Sequence, residues 1–338
     1  MTNSVRVVVH LGPMKTGTSA FAAHLSRAAV AGTLPENLIY PTGDLWFPAR
    51  GAIVKHHDLV ELAPALGKQG KQQRRVTTVT PKDMETRFAA MVTEARKRKT
   101  DVAVIMVCEI ADQRATPALA KVLGKFFDRV DFVIVARDQT SALRSLVGQQ
   151  IRMWNRTDVV SLDPTEFLGK HIQQGSYDYE KLWKKWVTTD KSYRAHFVPY
   201  RDSRSGIDEL SQEIFGRLGL GVFPEDKTGD GSRIHPTFSG KGMKRLATIK
   251  RLTARFASIP GVRGLGKFCF DTTLRRLHRE AGPDRAETFK PWTFSASQRL
   301  TVENAYRDSN ERFKKLLGSE AKKPEWQAWF KKALGEQA

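Results

Sequence analysis

The sequence predicts an α/β fold of three layers, a central parallel sheet with helices on both faces, and beyond it a basic, mostly helical C-terminal region. Three observations carry this reading. The runs VRVVVH from Val5, DVAVIMVCE from Asp101 and RVDFVIVARD from Arg129 are apolar with little alternation, which marks strands buried on both faces. Each is followed by a segment with apolar residues at helical spacing, and strands alternating with helices indicate parallel pairing. From Gly229 onward the strands stop, and Lys and Arg crowd long helical stretches.

Taken in order, Val5 to His10 is the first strand and SAFAAHLSRAA the helix after it. Residues Val30 to Arg75 are punctuated by Pro35, Pro41, Gly43, Pro48 and Gly51, so they read as a turn-rich insertion with one short helix in HHDLVELAPAL. TPKDMETRFAAMVTEARKRK opens on a capping signature at Thr80 or Asp83 and closes on a basic turn, the pattern of a helix of several turns. DVAVIMVCE is the second strand, TPALAKVLGKFFD a helix, RVDFVIVARD the third strand, and QTSALRSLVGQQIRMW a helix. The unit repeats as YEKLWKKWVTTD (helix), AHFVPYRD (strand) and SGIDELSQEIFGRLGL, a helix stopping at Gly219. DGSRIHPTFSGKG is a loop, and SASQRLTVENAYRDSNERFKKLLG closes the chain as a surface helix. The division expected is a core over 1–230, with its insertion at about 34–75, and an extension over 231–338 packed on the same domain.

A hydrophobic fraction of 40% and a charged fraction of 27% belong to a folded globular chain and exclude wholesale disorder. The formal charge of +20 draws anionic partners: nucleotides, acidic glycans, nucleic acid or an anionic membrane. Cys108 and Cys269 are the only cysteines, and no disulfide framework is implied. MTNSVRVVVHLG lacks a basic region followed by a long apolar stretch, and no segment has the apolar length of a membrane span, so a cytoplasmic location is the default expectation.

The stretch VVVHLGPMKTGTSAF places Gly12 and Gly17 where a strand hands over to a helix, so main-chain N–H groups and the helix N-terminus can face an anion. Lys15 adds a full charge, and Thr16, Thr18 and Ser19 add hydroxyls. This is a P-loop-like arrangement, except that the nucleotide-triphosphate motif puts its lysine after the last glycine and Lys15 precedes Gly17. Arg137 ends the third strand, at the carboxyl end where ligands bind in open α/β sheets, and Ser145 falls in the second turn of the next helix. An arginine there can fork onto a phosphate while the serine donates a hydroxyl.

LGPMKTGTSAF resembles the 5′-phosphosulfate loop of the sulfotransferase superfamily, P-K-[ST]-G-[ST]-[ST], and VIVARDQTSALRSLVGQQI resembles its 3′-phosphate motif. Bacterial sulfotransferase-family proteins also carry stretches similar to NAYRDSNERF and to FVPYRD followed by a Gly-Ile helix. The resemblance implies the P-loop sulfotransferase fold and transfer of a sulfuryl group from 3′-phosphoadenosine 5′-phosphosulfate (PAPS) to a hydroxyl acceptor such as a glycan or lipid-linked sugar, with no metal expected. Carried over, Pro13, Lys15, Thr16, Gly17, Thr18 and Ser19 would hold the 5′-phosphosulfate, and Arg137 and Ser145 the 3′-phosphate. Lys15 would then sit by the bridging oxygen, where leaving-group charge develops.

A base for the acceptor hydroxyl has two candidates, Glu109 at the carboxyl end of VAVIMVC and His57, beside His56, in the insertion. Cytosolic members use a histidine after the second strand; Glu109 stands there, and glycan sulfotransferases use a glutamate. The RxGxxG motif of cytosolic members has only a faint echo in SGKG at Ser239 to Gly242. Residues Lys241 to Arg279 read either as a solvated face or as a docking surface for an acidic polysaccharide or the inner leaflet of a membrane. Nucleic acid is disfavoured, since no reading motif accompanies the charge. The rival functions are a P-loop kinase or nucleotide hydrolase, with MVCE as a degenerate Walker-B end, and a non-catalytic basic protein that binds membrane or polyanion.

Overall fold

The computed structural model describes residues 3–13, 15–47, 54–56, 58–59, 79–109, 118–154, 164–187, 192–200, 206–223, 239–256, 258–280 and 292–336, without the side chains of Glu109, Ala118, residues 206–208 and Glu280. In chain order the elements are β1 (Val5–Gly12), α1 (Thr18–Val30), β2 (Leu38–Ile39), α2 (Pro81–Arg96), β3 (Val102–Glu109), α3 (Ala118–Leu123), β4 (Arg129–Ala136), α4 (Gln139–Arg152) and α5 (Thr165–Gln173). They continue as α6 (Tyr179–Val187), β5 (Tyr193–Pro199), α7 (Gly206–Leu218), α8 (Gly240–Arg255), α9 (Val262–Glu280), α10 (Ala296–Leu317) and α11 (Pro324–Ala333). Two compact units share them: one of 1–137, 177–232 and 309–330, the other of 138–176, 233–308 and 331–338.

The first unit is α/β. Its sheet has five strands in the order β2-β3-β1-β4-β5, and every neighbouring pair is parallel. The three strands read from apolar runs are present, with Val7, Val104 and Ile134 fully buried. Parallel neighbours need crossover connections, and the helices supply them. Successive strand residues point to opposite faces. One face sets Val8, Ile105, Val133 and Val198 in a single cluster with Phe21 and Leu25 of α1 and Leu210, Ile214 and Phe215 of α7. On the other, the Phe132 ring lies 4.6 Å from that of Trp186 in α6, and Phe197 lies 5.6 Å from Phe313 in α10. Helices on both faces are consistent with the three-layer α/β/α arrangement.

Two details depart from the sequence reading. Leu38 and Ile39, inside the stretch read as a turn-rich insertion, form the edge strand β2 against Ala103 and Val104. A strand of two residues has no alternation to detect. The chain also ends on a further helix, α11, with Trp326, Trp329 and Phe330 all buried. At α2 the capping ambiguity resolves: Thr80 is the N-cap, its hydroxyl accepting from the Asp83 amide at 3.2 Å while its own amide donates to the Asp83 carboxylate at 2.8 Å. The helix expected in HHDLVELAPAL lies mostly outside the described residues.

The second unit is helical in its described residues. Lys250 of α8 is buried and donates to the carbonyls of Gln150 and Met153 at 3.0 and 3.2 Å, closing the C-terminal end of α4 with a cation. Its neighbour α9 packs along α8 so closely that a Cβ on Gly266 would stand 2.0 Å from the Thr253 hydroxyl. The helix α5, absent from the sequence reading, spans nine residues. No helix among the described residues is long and apolar enough to cross a membrane.

Candidate functional site

The loop between β1 and α1 is held by its backbone. Gly17, the residue that caps α1, lies in the left-handed region at φ 81°, and Lys15 shares that region at φ 71°. A lysine there is strained where a glycine is not, and such residues cluster at ligand-binding turns. Turns of this kind converge main-chain N–H groups into anion-binding concavities. No side chain caps α1, and its first turn carries no acid, so the helix supplies no carboxylate of its own to its positive end. Thr16 and Thr18 are buried beneath the loop, the Thr16 hydroxyl donating to the Pro13 carbonyl at 2.8 Å and lying 3.3 Å from that of Thr18. At Gly12 a Cβ would fall 2.2 Å from the Thr18 hydroxyl, so glycine is imposed by packing.

Arg137, just past the end of β4, meets this loop: its guanidinium donates to the Lys15 carbonyl at 2.7 Å and lies over the Tyr200 ring, 4.5 Å from the centroid. The Tyr179 hydroxyl accepts from the Arg137 amide and donates to the Arg137 carbonyl, both at 2.8 Å, which fixes the backbone from which the guanidinium extends. A third cation, Lys55, donates to the Ser19 hydroxyl at 2.7 Å. Its position is set by the residue beside it. His56 is fully buried, takes the Val107 amide on Nδ1 at 3.0 Å and, through Nε2, donates to the Pro41 carbonyl at 3.1 Å. That pair of partners requires the neutral Nε2–H tautomer, so His56 ties the 54–56 segment to β3.

Glu109 ends β3 directly opposite Gly12 in the parallel ladder, so its backbone stands beside the start of the loop. Its side chain and the whole of His57 lie outside the described residues. Ser145 is half-buried in the second turn of α4, within the helical unit. Ser239 of the SGKG stretch caps α8, its hydroxyl accepting from the Gly242 amide at 3.2 Å. The structure thus gathers Pro13, Lys15, Thr16, Gly17, Thr18, Ser19 and Arg137 around one loop. Sequence reasoning missed Lys55, Tyr179 and Tyr200, which tertiary folding brings to that loop. For Tyr200 alone there was a local signal, an aromatic closing FVPY at the end of a strand.

A surface groove of about 650 Å³ runs along α7 and is lined by none of these residues. Its Arg217 is paired with Glu213, Glu320 and Glu325 at 3.1, 2.8 and 3.4 Å, so that cation is already held by the protein's own carboxylates. The loop, with Lys15, Lys55 and Arg137 at or beside it, is the better candidate for chemistry. No protein-family model and no curated protein matches the chain.

Proposed function

We propose that the chain is a sulfotransferase that moves the sulfuryl group of PAPS to a hydroxyl acceptor such as a sugar. The observation that carries the reading is the contact between the two anion motifs, with the Arg137 guanidinium on the carbonyl of Lys15 in a left-handed, uncapped loop. The residues present suit such a donor. The helix N-terminus, with no side-chain cap and no acid in its first turn, suits a phosphosulfate held against main-chain N–H groups, with Lys15, Lys55 and Arg137 as counter-charges.

In this mechanism the acceptor hydroxyl gives its proton to Glu109 as its oxygen attacks sulfur, and the bond from sulfur to the bridging phosphate oxygen breaks. Lys15 neutralises the charge that collects on that oxygen, and 3′-phosphoadenosine 5′-phosphate departs. Such loose transfer depends on positioning and electrostatics more than on covalent chemistry. On the family likeness, Arg137 and Ser145 hold the 3′-phosphate, which distinguishes this donor from ATP. His57 is the other candidate for the base.

The test starts with the donor half. Calorimetry should show 3′-phosphoadenosine 5′-phosphate binding tightly and ATP with Mg²⁺ weakly; the reverse preference would move the assignment to phosphoryl transfer. With labelled PAPS and a panel of sugar hydroxyls, Lys15→Ala should lose at least about a hundredfold in turnover, the scale of one oxyanion-type donor. Glu109→Gln should do the same at unchanged nucleotide affinity; a near-wild-type rate would pass the role to His57.

A further inference from the structure

Among the described residues, five of the eleven large apolar side chains left exposed, and both of the exposed phenylalanines, fall at one place. Leu252, Phe256, Ile259, Leu265 and Phe268 are 48%, 44%, 50%, 65% and 65% accessible, and all five fall in the turn of the α8–α9 hairpin or the two turns flanking it. The hairpin is tightly built, with the Ile259 amide donating to the Phe256 carbonyl at 3.0 Å and the Val262 amide to the Ile259 carbonyl at 3.2 Å. Its seam is fixed by Gly266 against Thr253 and Gly242 against Leu277. Its inner side is fixed by Met243 and Lys250, which face α4. At about 3.6 residues per turn, Leu252, Phe256 and Leu265 then share the side of the hairpin turned away from α4.

The same side is cationic behind its apolar tip. Lys241 and Arg245 of α8 and Arg279 of α9 continue that face away from the turn, all exposed, and the Arg255 guanidinium lies 5.8 Å from the Phe256 ring. Between Gly240 and Glu280 stand eleven Lys and Arg against two acids, Glu280 at the far end and Asp271, which is paired with Lys267 at 2.5 Å. A second copy of this face is a poor partner, since pairing would oppose like charges. A polyanion would satisfy the cations and give the five hydrocarbon side chains nothing.

We propose that this hairpin docks on an anionic lipid bilayer, its tip entering the boundary between headgroups and acyl chains and its cations lying on the headgroup charges. A short apolar wedge backed by Lys and Arg is the composition that interfacial binding requires. The proposal is independent of the donor chemistry: no nucleotide enters its test, so either reading can fail alone.

The full chain is sedimented with vesicles of phosphatidylcholine, with or without about a third phosphatidylserine. Strong binding to the anionic vesicles, weakened by salt, is expected. Leu265→Glu with Phe268→Glu should reduce the partition at least about tenfold at unchanged circular dichroism. Cys269 is exposed on α9 whereas Cys108 is buried, so an environment-sensitive maleimide dye on the native chain reports entry directly. Its emission should shift to the blue on anionic vesicles. Absence of binding, or binding with neither a dye shift nor sensitivity to the two glutamates, would overturn the proposal. A dimer abolished by those glutamates would overturn it in favour of a second copy.

Discussion

Gly12 leaves no room for a methyl group, and that constraint links the sheet to the loop. A Cβ there would stand 3.0 Å from the His10 ring and from the Thr16 hydroxyl as well as against Thr18. Gly12→Ala should therefore lower stability by about 1–3 kcal/mol through overpacking, and weaken donor-nucleotide binding with it. Gly216→Ala is the control, because nothing lies within 4 Å of that position on α7, and it should be neutral or slightly stabilising in the same urea titration. Lys15 holds its left-handed backbone at a cost of about 1–2 kcal/mol that a glycine would avoid. These residues were legible in the sequence because a strand, two glycines and a lysine fall within one short stretch. Lys55, Tyr179 and Tyr200 were not, because each reaches the loop from a distant part of the chain, and no local pattern records a contact made only on folding.

At the scale of elements, the long strands and helices were read from periodicity, whereas β2, α5 and α11 were not. A strand of two residues has no period to repeat, and the only buried side chains of α5, Phe167 and Leu168, are adjacent in sequence and trace no helical spacing. The last announces itself by Pro324 at its start and by Trp326, Trp329 and Phe330 at helical spacing, a signal overlooked beside its lysines. Caps mark the boundaries well. Asp138 caps α4, its carboxylate taking the Ser141 amide at 2.8 Å and standing 3.1 Å from the Lys332 ammonium. Asp138→Ala should cost about 1–2 kcal/mol in thermal or urea unfolding, the worth of a lost N-cap. Asp138→Asn keeps the cap and should cost less, and the difference between the two variants measures the ion pair.

Over the whole molecule, the excess of positive charge was plain from composition, but not where folding would bury a negative one. Asp131 is fully buried among Arg6, Arg129 and His196, with Arg129 Nε 2.8 Å and His196 Nε2 2.8 Å from its oxygens. Burial alone would raise its pKa; the hydrogen bonds from His196 and Arg129 outweigh it and hold the carboxyl below the usual range. A depressed carboxylate contributes stability that is present above its unfolded pKa of about 3.9 and lost as pH falls through the lower folded value. Unfolding followed against pH should thus steepen below about pH 4. Asp131→Asn should remove that acid limb while costing about 1–3 kcal/mol at neutral pH, since it leaves the partly exposed Arg6 and Arg129 without their buried anion. The end of the chain matters as much as its middle. The Trp329 indole donates at 2.9 Å to the carbonyl of Ala136, the residue before Arg137, across 193 positions of sequence. The loop between β1 and α1 is therefore synthesised well before the indole that closes the strand beside it. Chains halted short of α11 should hold a sheet in which the end of β4 lacks this hydrogen bond.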